Sequence, residues 1–440
     1  MVRQTRGQFR LLAKWAITLL LLFIVSLNGY AFPVQVAEAP STTLALITEA
    51  IHRAKKTLQV NIYELSSPEI VTALIERIQA GVRVEVLEEG QPVGGFSALE
   101  STAQNRIVQA MIRSRGSHQF YEMTSKAGGK RRYRFNHAKY IIVDEKSLLI
   151  GSENYSPTGH PRPGMIGNRG WEVFMHDETL TTEFLDMFHR DSDLQYRDII
   201  DRLQSPRQDL KSMNLYSLFG MLRLQTDEIQ MQLRSSQAPV APWVTLEADS
   251  AYKIISPESS LTGLLSLISQ ARRRLDLELM SMDLNWGKSG EESPLFDAVV
   301  SAARRGVQVR VLLNDESVFL NRGAKPAVSQ KRPEPHLTDL TSKNRITVEA
   351  LRQTAQKYKL KLSARIANVK RMGVDYIHNK GALVDDDQTL ISSINWGENS
   401  VENNREAAVV IQGRAIQAHY QELLEMDWKA SEVVDGVKVF

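Results

Sequence analysis

The sequence predicts an α/β protein made of two related domains, each a mixed sheet flanked by helices. Three observations carry this prediction. Strand-like and helix-like stretches alternate along the chain, the same order recurs in its second half, and one polar motif occurs once in each half. A length of 440 residues suits two domains of about 150–200 residues each. With 42% apolar and 24% charged residues, both have the material for a real core.

In the first half, residues 42–56 (TTLALITEAIHRAKK) place apolar residues at helical spacing, and 57–65 (TLQVNIYEL) alternate like a strand. Residues 68–81 are helical again and stop at Gly81, and 82–90 (VRVEVLEEG) read as a strand. The second half repeats this order over 261–274, 275–282, 293–306 and 307–313. The junctions IQAGVRVEVL and ARRGVQVRVL are visibly the same helix-stop-strand unit. Further strands follow at KYIIVD and GALVD, and each half closes on a helix, near Thr181–Phe188 and Ala415–Trp428. Between the halves, Pro239 and Pro242 in RSSQAPVAPW read as linker. The expected boundaries are 1–39 for a leader or anchor, 40–200 for the first domain, 201–250 for the linker region and 251–440 for the second domain.

The first forty residues differ in kind. Arg3, Arg6, Arg10 and Lys14 precede an uncharged apolar run from Trp15 to Leu27, and small residues follow at Ala31, Ala37 and Ala39. That pattern predicts a secretory signal peptide, cut after Ala37-Glu38-Ala39 or, as the competing site, after Gly29-Tyr30-Ala31. The alternative is an uncleaved anchor over Trp15 to Phe32. In both cases the body is expected outside the cytoplasm, secreted or periplasmic. The absence of cysteine excludes a disulfide framework, so the domains must hold by core burial. A net charge of +3 is nearly balanced and excludes a polycation that coats nucleic acid; phosphate attraction must come from local clusters.

The motif is His137, Lys139 and Asp144 in HAKYIIVD, and His378, Lys380 and Asp385 in HNKGALVD. Ser152 and Asn154 follow the first, Ser393 and Asn395 the second, and Glu172 and Glu406 close the two sets. A phosphodiester resists attack because it is anionic and its leaving alkoxide is poor. One neutral imidazole can attack phosphorus while a second, protonated one gives a proton to the leaving oxygen, so two histidines are needed. Lys139 and Lys380 can hold the charge on the non-bridging oxygens, and Ser152, Asn154, Ser393 and Asn395 can add hydrogen bonds to them. On a strand, residues two apart share a face, which pairs each histidine with its lysine. Asp144 and Asp385 complete the candidate catalytic set, yet their odd offset turns them to the opposite face, where they are read as holding the strand end. Glu172 and Glu406 are the candidates for orienting the imidazoles through their second nitrogens.

This constellation resembles the phospholipase D superfamily, whose signature is H-x-K-x4-D followed by G/S-S-x-N. The second copy departs at Ser392 for Gly151, and Gly381 and Ala382 replace Tyr140 and Ile141. The resemblance implies a bilobal fold with one site between halves related by a pseudo-twofold axis, and a phosphohistidine intermediate, with His137 favoured as the nucleophile. It also implies the orienting role for Glu172 and Glu406. No metal or other cofactor is called for, since protonated lysine cannot ligate and the lysines take the place of a cation.

The function expected is an exported phospholipase D-like phosphodiesterase that hydrolyses phospholipid head-group diesters or transfers the phosphatidyl group. A metal-independent secreted nuclease and a cardiolipin-synthase-like phosphatidyltransferase are the alternatives. A binding protein with a retired site is disfavoured by two complete motif sets. The expected partners are a phospholipid or other phosphodiester and a membrane surface, with nucleic acid as the alternative substrate and no obligate protein partner evident. The run Lys130, Arg131, Arg132 and Arg134 just before His137 is either a polyanion-gathering lip or a solvated hairpin face. His160 is read as a solvated loop residue or a contact at the site mouth, and Trp396 as core or pocket wall.

Overall fold

The computed structural model describes residues 31–204, 243–319 and 337–432. In the first half the elements run β1 (Phe32–Ala39), α1 (Thr43–Arg53), β2 (Thr57–Ile62), α2 (Pro68–Gln79), β3 (Arg83–Glu89), α3 (Ala98–Arg113), β4 (Gln119–Met123), β5 (Tyr140–Val143), β6 (Ser147–Gly151), β7 (Gly170–His176), α4 (Glu178–Asp191), β8 (Ile199–Asp201) and β9 (Val244–Ala248). The second half has β10 (Ser250–Ser256), α5 (Ser260–Gln270), β11 (Arg274–Leu279), a short pair β12 (Asn285–Trp286) and β13 (Glu291–Glu292), and α6 (Pro294–Arg304). It continues with β14 (Gln308–Leu313), α7 (Leu337–Tyr358), β15 (Leu362–Ile366), α8 (Val369–Met372), β16 (Lys380–Val384), β17 (Gln388–Ser392), β18 (Glu406–Gln412) and α9 (Arg414–Ala430).

Each half carries one large mixed sheet. The orders are β8-β4-β3-β2-β5-β6-β7-β1-β9 and β10-β18-β17-β16-β11-β14-β15. In both, three parallel strands (β2-β3-β4 and β11-β14-β15) meet an antiparallel run at the motif strand, β5 or β16. The motif strands therefore lie mid-sheet, and every residue of β5 and β16 is buried. The repeat extends to local chemistry. Helices α2 and α6 both start Ser-Pro, a serine N-cap with proline where no amide hydrogen is needed. Both are followed by a left-handed glycine, Gly81 at φ 85° and Gly306 at φ 93°, a conformation other residues resist.

The two halves share a core. Tyr140, Ile142, Ile150 and Trp171 of the first pack in one cluster with Leu312, Ile377, Leu383, Ala407, Tyr420 and Trp428 of the second. Trp171 also explains a departure in the second motif. A Cβ on Gly381 would lie 2.4 Å from the Trp171 ring, so a bulkier residue in place of Gly381 cannot fit there.

Two expected boundaries are corrected. Residues 32–39 are not part of a disposable leader: β1 lies between β7 and β9, pairing Ala37 with Glu172 and Ala39 with Gly170. Its carbonyls also serve the interface, Ala39 accepting from Arg169 (2.9 Å) and Ala37 from Tyr420 (3.2 Å). Cleavage after Ala39 would remove a strand from the sheet interior, whereas the competing site after Ala31 leaves it intact. Ala37 and Ala39 are small because they are fully buried. The stretch 201–250 is likewise not all linker, since β9 forms an edge of the first sheet, beside β1. Residues 1–30, with the proposed basic and apolar leader, and Pro239 and Pro242 lie outside the described residues. Among the described residues, no helix is long and apolar enough to cross a membrane.

Candidate active site

Backbone pairing across the interface brings the two motifs together. The His137 amide donates to the Arg405 carbonyl (2.8 Å), and the His378 amide donates to the Arg169 carbonyl (2.9 Å). Each histidine is thus pinned by the opposite half, and the isolated bridges Asn136–Arg405 and Arg169–Ile377 repeat the relation. This is the pseudo-twofold expected of the paired motif.

His137 Nδ1 lies 2.8 Å from Glu406 Oε2, a hydrogen bond across the interface. Glu406 also accepts from Ser393 Oγ (2.6 Å) and Asn404 Nδ2 (3.0 Å). Burial would raise the Glu406 carboxyl, but His137, Lys139 and Asn404 outweigh it and hold it below the usual range. Burial pushes the His137 imidazole down to about 4, with Glu406 pulling the other way and Lys139 adding to the push. At neutral pH Glu406 is a carboxylate and His137 a neutral ring. With its Nδ1–H on Glu406, its Nε2 keeps a free lone pair.

The second imidazole is held differently. His378 Nδ1 lies 3.2 Å from Glu153 Oε2, within ion-pair distance but short of an aligned hydrogen bond. Burial raises the Glu153 carboxyl to about 7, with Lys380 opposing, and burial together with Lys380 and Lys139 holds His378 well below 6.5. Glu172, the other candidate for orienting an imidazole, instead sits 3.3 Å from His160 Nε2. That corrects two expectations, because His160 is fully buried rather than solvated or at the mouth. Trp396 is core.

Lys139 and Lys380 are fully buried, and each turns its ammonium back to the carbonyl of its own histidine. Lys139 also lies 5.5 Å from the Tyr63 ring, and that ring meets His137 edge-on at 4.9 Å. Burial lowers Lys139 to about 8 and Lys380 to about 7, the latter also repelled by Lys139. Such a site is short of negative charge, and a bound oxyanion would restore the missing protons. At pH 8, tungstate binding should take up about one proton per site, and affinity should fall as pH rises above 7. Calorimetry in two buffers of different ionisation heat measures this; zero uptake would contradict it.

Among the smaller polar residues, Asn154 and Asn395 have buried Oδ1 atoms with no partner among the described residues. Ser393, expected on substrate phosphate, donates its proton to Glu406, and Ser152 Oγ accepts from the Trp171 amide (3.2 Å). Both serines are built into the support of the site.

Asp144 and Asp385 do not join the site and are corrected from the catalytic set to the strand ends. Asp144 accepts from the amides of Lys55 (3.0 Å), Lys56 (2.7 Å) and Thr57 (3.0 Å), fastening the turn between α1 and β2. Asp385 does the same for Arg272, Arg273 and Arg274. Both adopt left-handed backbone, φ 52° and 51°, which aspartate tolerates better than most residues. Asp144→Ala should therefore cost about 2 kcal/mol of stability in urea unfolding while kcat stays within about threefold. A collapse of kcat in a stably folded variant would restore Asp144 to the chemistry.

The basic run before His137 is also reassigned. Arg131 pairs with buried Glu89, Arg132 lies 2.9 Å from buried Asp198, and Arg134 donates to Asn399 across the interface (3.0 Å). Arg131 and Arg132 hold the fold together rather than form a free lip.

A bilobal α/β fold with two His–Lys pairs facing across a pseudo-dyad defines a class of proteins that act on phosphodiesters. The profile of the family described as cardiolipin synthase, PLD-like domain, matches residues 47–192 and 264–428. The chain belongs to the phospholipase D superfamily. Its fold is similar to the crystal structure of phosphatidylserine synthase from Haemophilus influenzae Rd KW20, at TM-score 0.60 and 15% identity over 93% of this chain and 91% of that one. Weaker likenesses include the phospholipase D family member Nuc from Salmonella typhimurium (TM-score 0.32, 22% identity, 38% of this chain, 97% of that one). Polyphosphate kinase from Porphyromonas gingivalis is another (TM-score 0.47, 12% identity, 92% of this chain, 53% of that one). No curated protein matches the sequence.

Proposed function

We propose that this protein is an exported phosphodiesterase of phospholipids, which hydrolyses the head-group diester or passes the phosphatidyl group to an alcohol. The observation that carries the chemistry is the His137–Glu406 hydrogen bond across the interface, opposite His378 and beside two buried lysines. In this reading the negative charge of the bound diester offsets the two lysines that depress His378, so that His378 binds a proton. His137 Nε2 then attacks phosphorus, and the bond to the leaving oxygen breaks as His378 gives that proton to it. Water or an alcohol then attacks the phosphohistidine, giving its proton back to His378. Lys139 and Lys380 balance the charge that gathers on the non-bridging oxygens.

The lipid substrate is supported by the surface near the site. Val93 donates its amide to Tyr63 Oη (2.9 Å), and Tyr63 contacts His137; Val93 itself is 76% exposed. Met165 and Ile166, 63% and 64% exposed, lie on the loop leading to Asn168 and Arg169. Exposed apolar side chains there suit acyl chains, and the consumption of Arg131 and Arg132 by Glu89 and Asp198 removes the support for a polyanion lip. The matched family is also described by a lipid-synthesising enzyme.

The test is one assay of purified protein against labelled phospholipid vesicles and plasmid DNA, each after exhaustive chelation. Lipid cleavage that survives EDTA, with glycerol diverting product to a transfer ester, is the expected result. Cleavage of DNA alone would assign the nuclease instead. Loss of activity on chelation, restored by a divalent ion, would overturn the role given to the lysines.

A further inference from the structure

The two halves do not supply their imidazole-orienting carboxylates from matching positions. Asn404-Arg405-Glu406 has its structural counterpart in Asn168-Arg169-Gly170. Both arginines make the bridge to the opposite motif, and Glu406 and Gly170 are each the first residue of their strand. The place of Glu406 in the first half therefore holds a glycine. Glu172 is two residues too late and is already engaged by His160.

Glu153 fills the gap. Its Oε2 accepts from Asn168 Nδ2 at 2.8 Å, as Glu406 Oε1 accepts from Asn404 Nδ2 at 3.0 Å. The two asparagines are counterparts, so the same holder grips a carboxylate from a different element. A Cβ on Gly170 would lie 2.2 Å from Glu153 Oε1 and 2.6 Å from Ser152 Oγ. Glycine at 170 is thus the condition for Glu153 to be there. In the second half the pattern is reversed: Ile394, buried in core, stands at the place of Glu153, and the strand carries the glutamate. Glu153 is fully buried and, among the described residues, has no arginine or lysine within ion-pair distance and no partner for its Oε1.

We propose that Glu153 is the positioning residue of His378, taking the place of the strand glutamate that Gly170 lacks. It acts through His378 and needs no contact with substrate. The inference rests on the phosphodiesterase reading only for its kinetic arm.

The test exchanges the two designs. Glu153→Gln keeps the shape of the side chain and should lower kcat on a generic diester, bis(p-nitrophenyl) phosphate, roughly 100-fold with little change in KM. Gly170→Glu alone should also be poorly active, because two glutamates then compete for one space. The double variant Glu153→Ile, Gly170→Glu copies the second half, and should recover at least about tenfold over either of its component single changes. A role for Glu153 in loop packing alone would not be rescued in this way. The ring nitrogen resonances of His378 in ¹⁵N-histidine-labelled protein provide an arm independent of turnover. They should move in Glu153→Gln and return towards wild type in the double variant. The proposal is overturned if Glu153→Gln leaves kcat within about threefold and the His378 resonances unmoved. It is equally overturned if the double variant melts as wild type yet is no better than the better of its component singles. Should the double variant fail to fold, Glu153→Gln decides. A wild-type protein inactive on every diester, with His378 still responding to Glu153→Gln, would sink the function and leave the positioning role standing.

Discussion

His137→Ala and His378→Ala should each lower kcat by roughly 10⁴-fold or more, and the double variant should be scarcely worse than either single. The geometry requires this. Each imidazole is anchored by the other half, His137 through Glu406 and the Arg405 carbonyl, and His378 through the Arg169 carbonyl, so the pair forms one site and not two. Removing one histidine leaves the other unable to complete a turnover. Steady-state rates check the expectation, and a diester with a good leaving group adds a distinction. Such a leaving group needs little proton donation, so His378→Ala should still release about one equivalent of it and then stall for want of the base of the second step, whereas His137→Ala should release none. Losses that multiply in the double variant would indicate two independent sites.

The largest effect on stability is expected at Arg405. Its guanidinium is fully buried and meets Asp191 at 2.7 Å and Glu258 at 2.7 Å, and it donates to the Ser256 carbonyl and to Tyr133 Oη. Tyr133 and Asp191 belong to the first half, and Ser256 and Glu258 to the second. Arg405→Ala would leave the Asp191 carboxylate buried beside Tyr133 without its main cation, costing about 3–5 kcal/mol. The thermal midpoint should fall by about 3–5 °C, and activity should fall with it, because Glu406 is the next residue. Arg169, which lies 2.7 Å from Asp427, makes the pseudo-symmetric bond and should behave likewise. A cost below about 1 kcal/mol for Arg405→Ala would mean that Asp191 finds another partner or a proton.

What could be read in the sequence was whatever depends on short, fixed spacing. Histidine and lysine two residues apart, and the serine and asparagine at one fixed distance, reflect a strand and its hairpin, whose lengths are the same in both halves. The alternating units from 42 to 90 and from 261 to 313 were legible for the same reason, since local periodicity sets them. The orienting carboxylate was not, because its place depends on the register of β7 against β6, which pairs Gly151 with Glu172, while β17 and β18 pair Ser392 with Ala408. Glu172 and Glu406 look alike in a linear scan and lie two residues out of step in the sheets. The shared Asn-Arg pairs before Gly170 and Glu406 were the signal that could have revealed this. β1 was hidden for another reason: small residues packed at an interior strand have the composition of a cleavage site. The basic run at 131–134 misled because its partners Glu89 and Asp198 are distant in sequence and become neighbours only after folding.

In the mechanism proposed, one site built from both halves works through a single phosphohistidine. The most direct measurement is acid-quenched mass spectrometry of the enzyme during turnover of a slow diester substrate, with phosphorylated peptides mapped at high pH, where phosphohistidine survives. At most one adduct per chain is expected, on His137, absent from His137→Ala and accumulating when the second step is slowed. Adducts on His137 and His378 of the same chain, or turnover with no adduct on either, would contradict it.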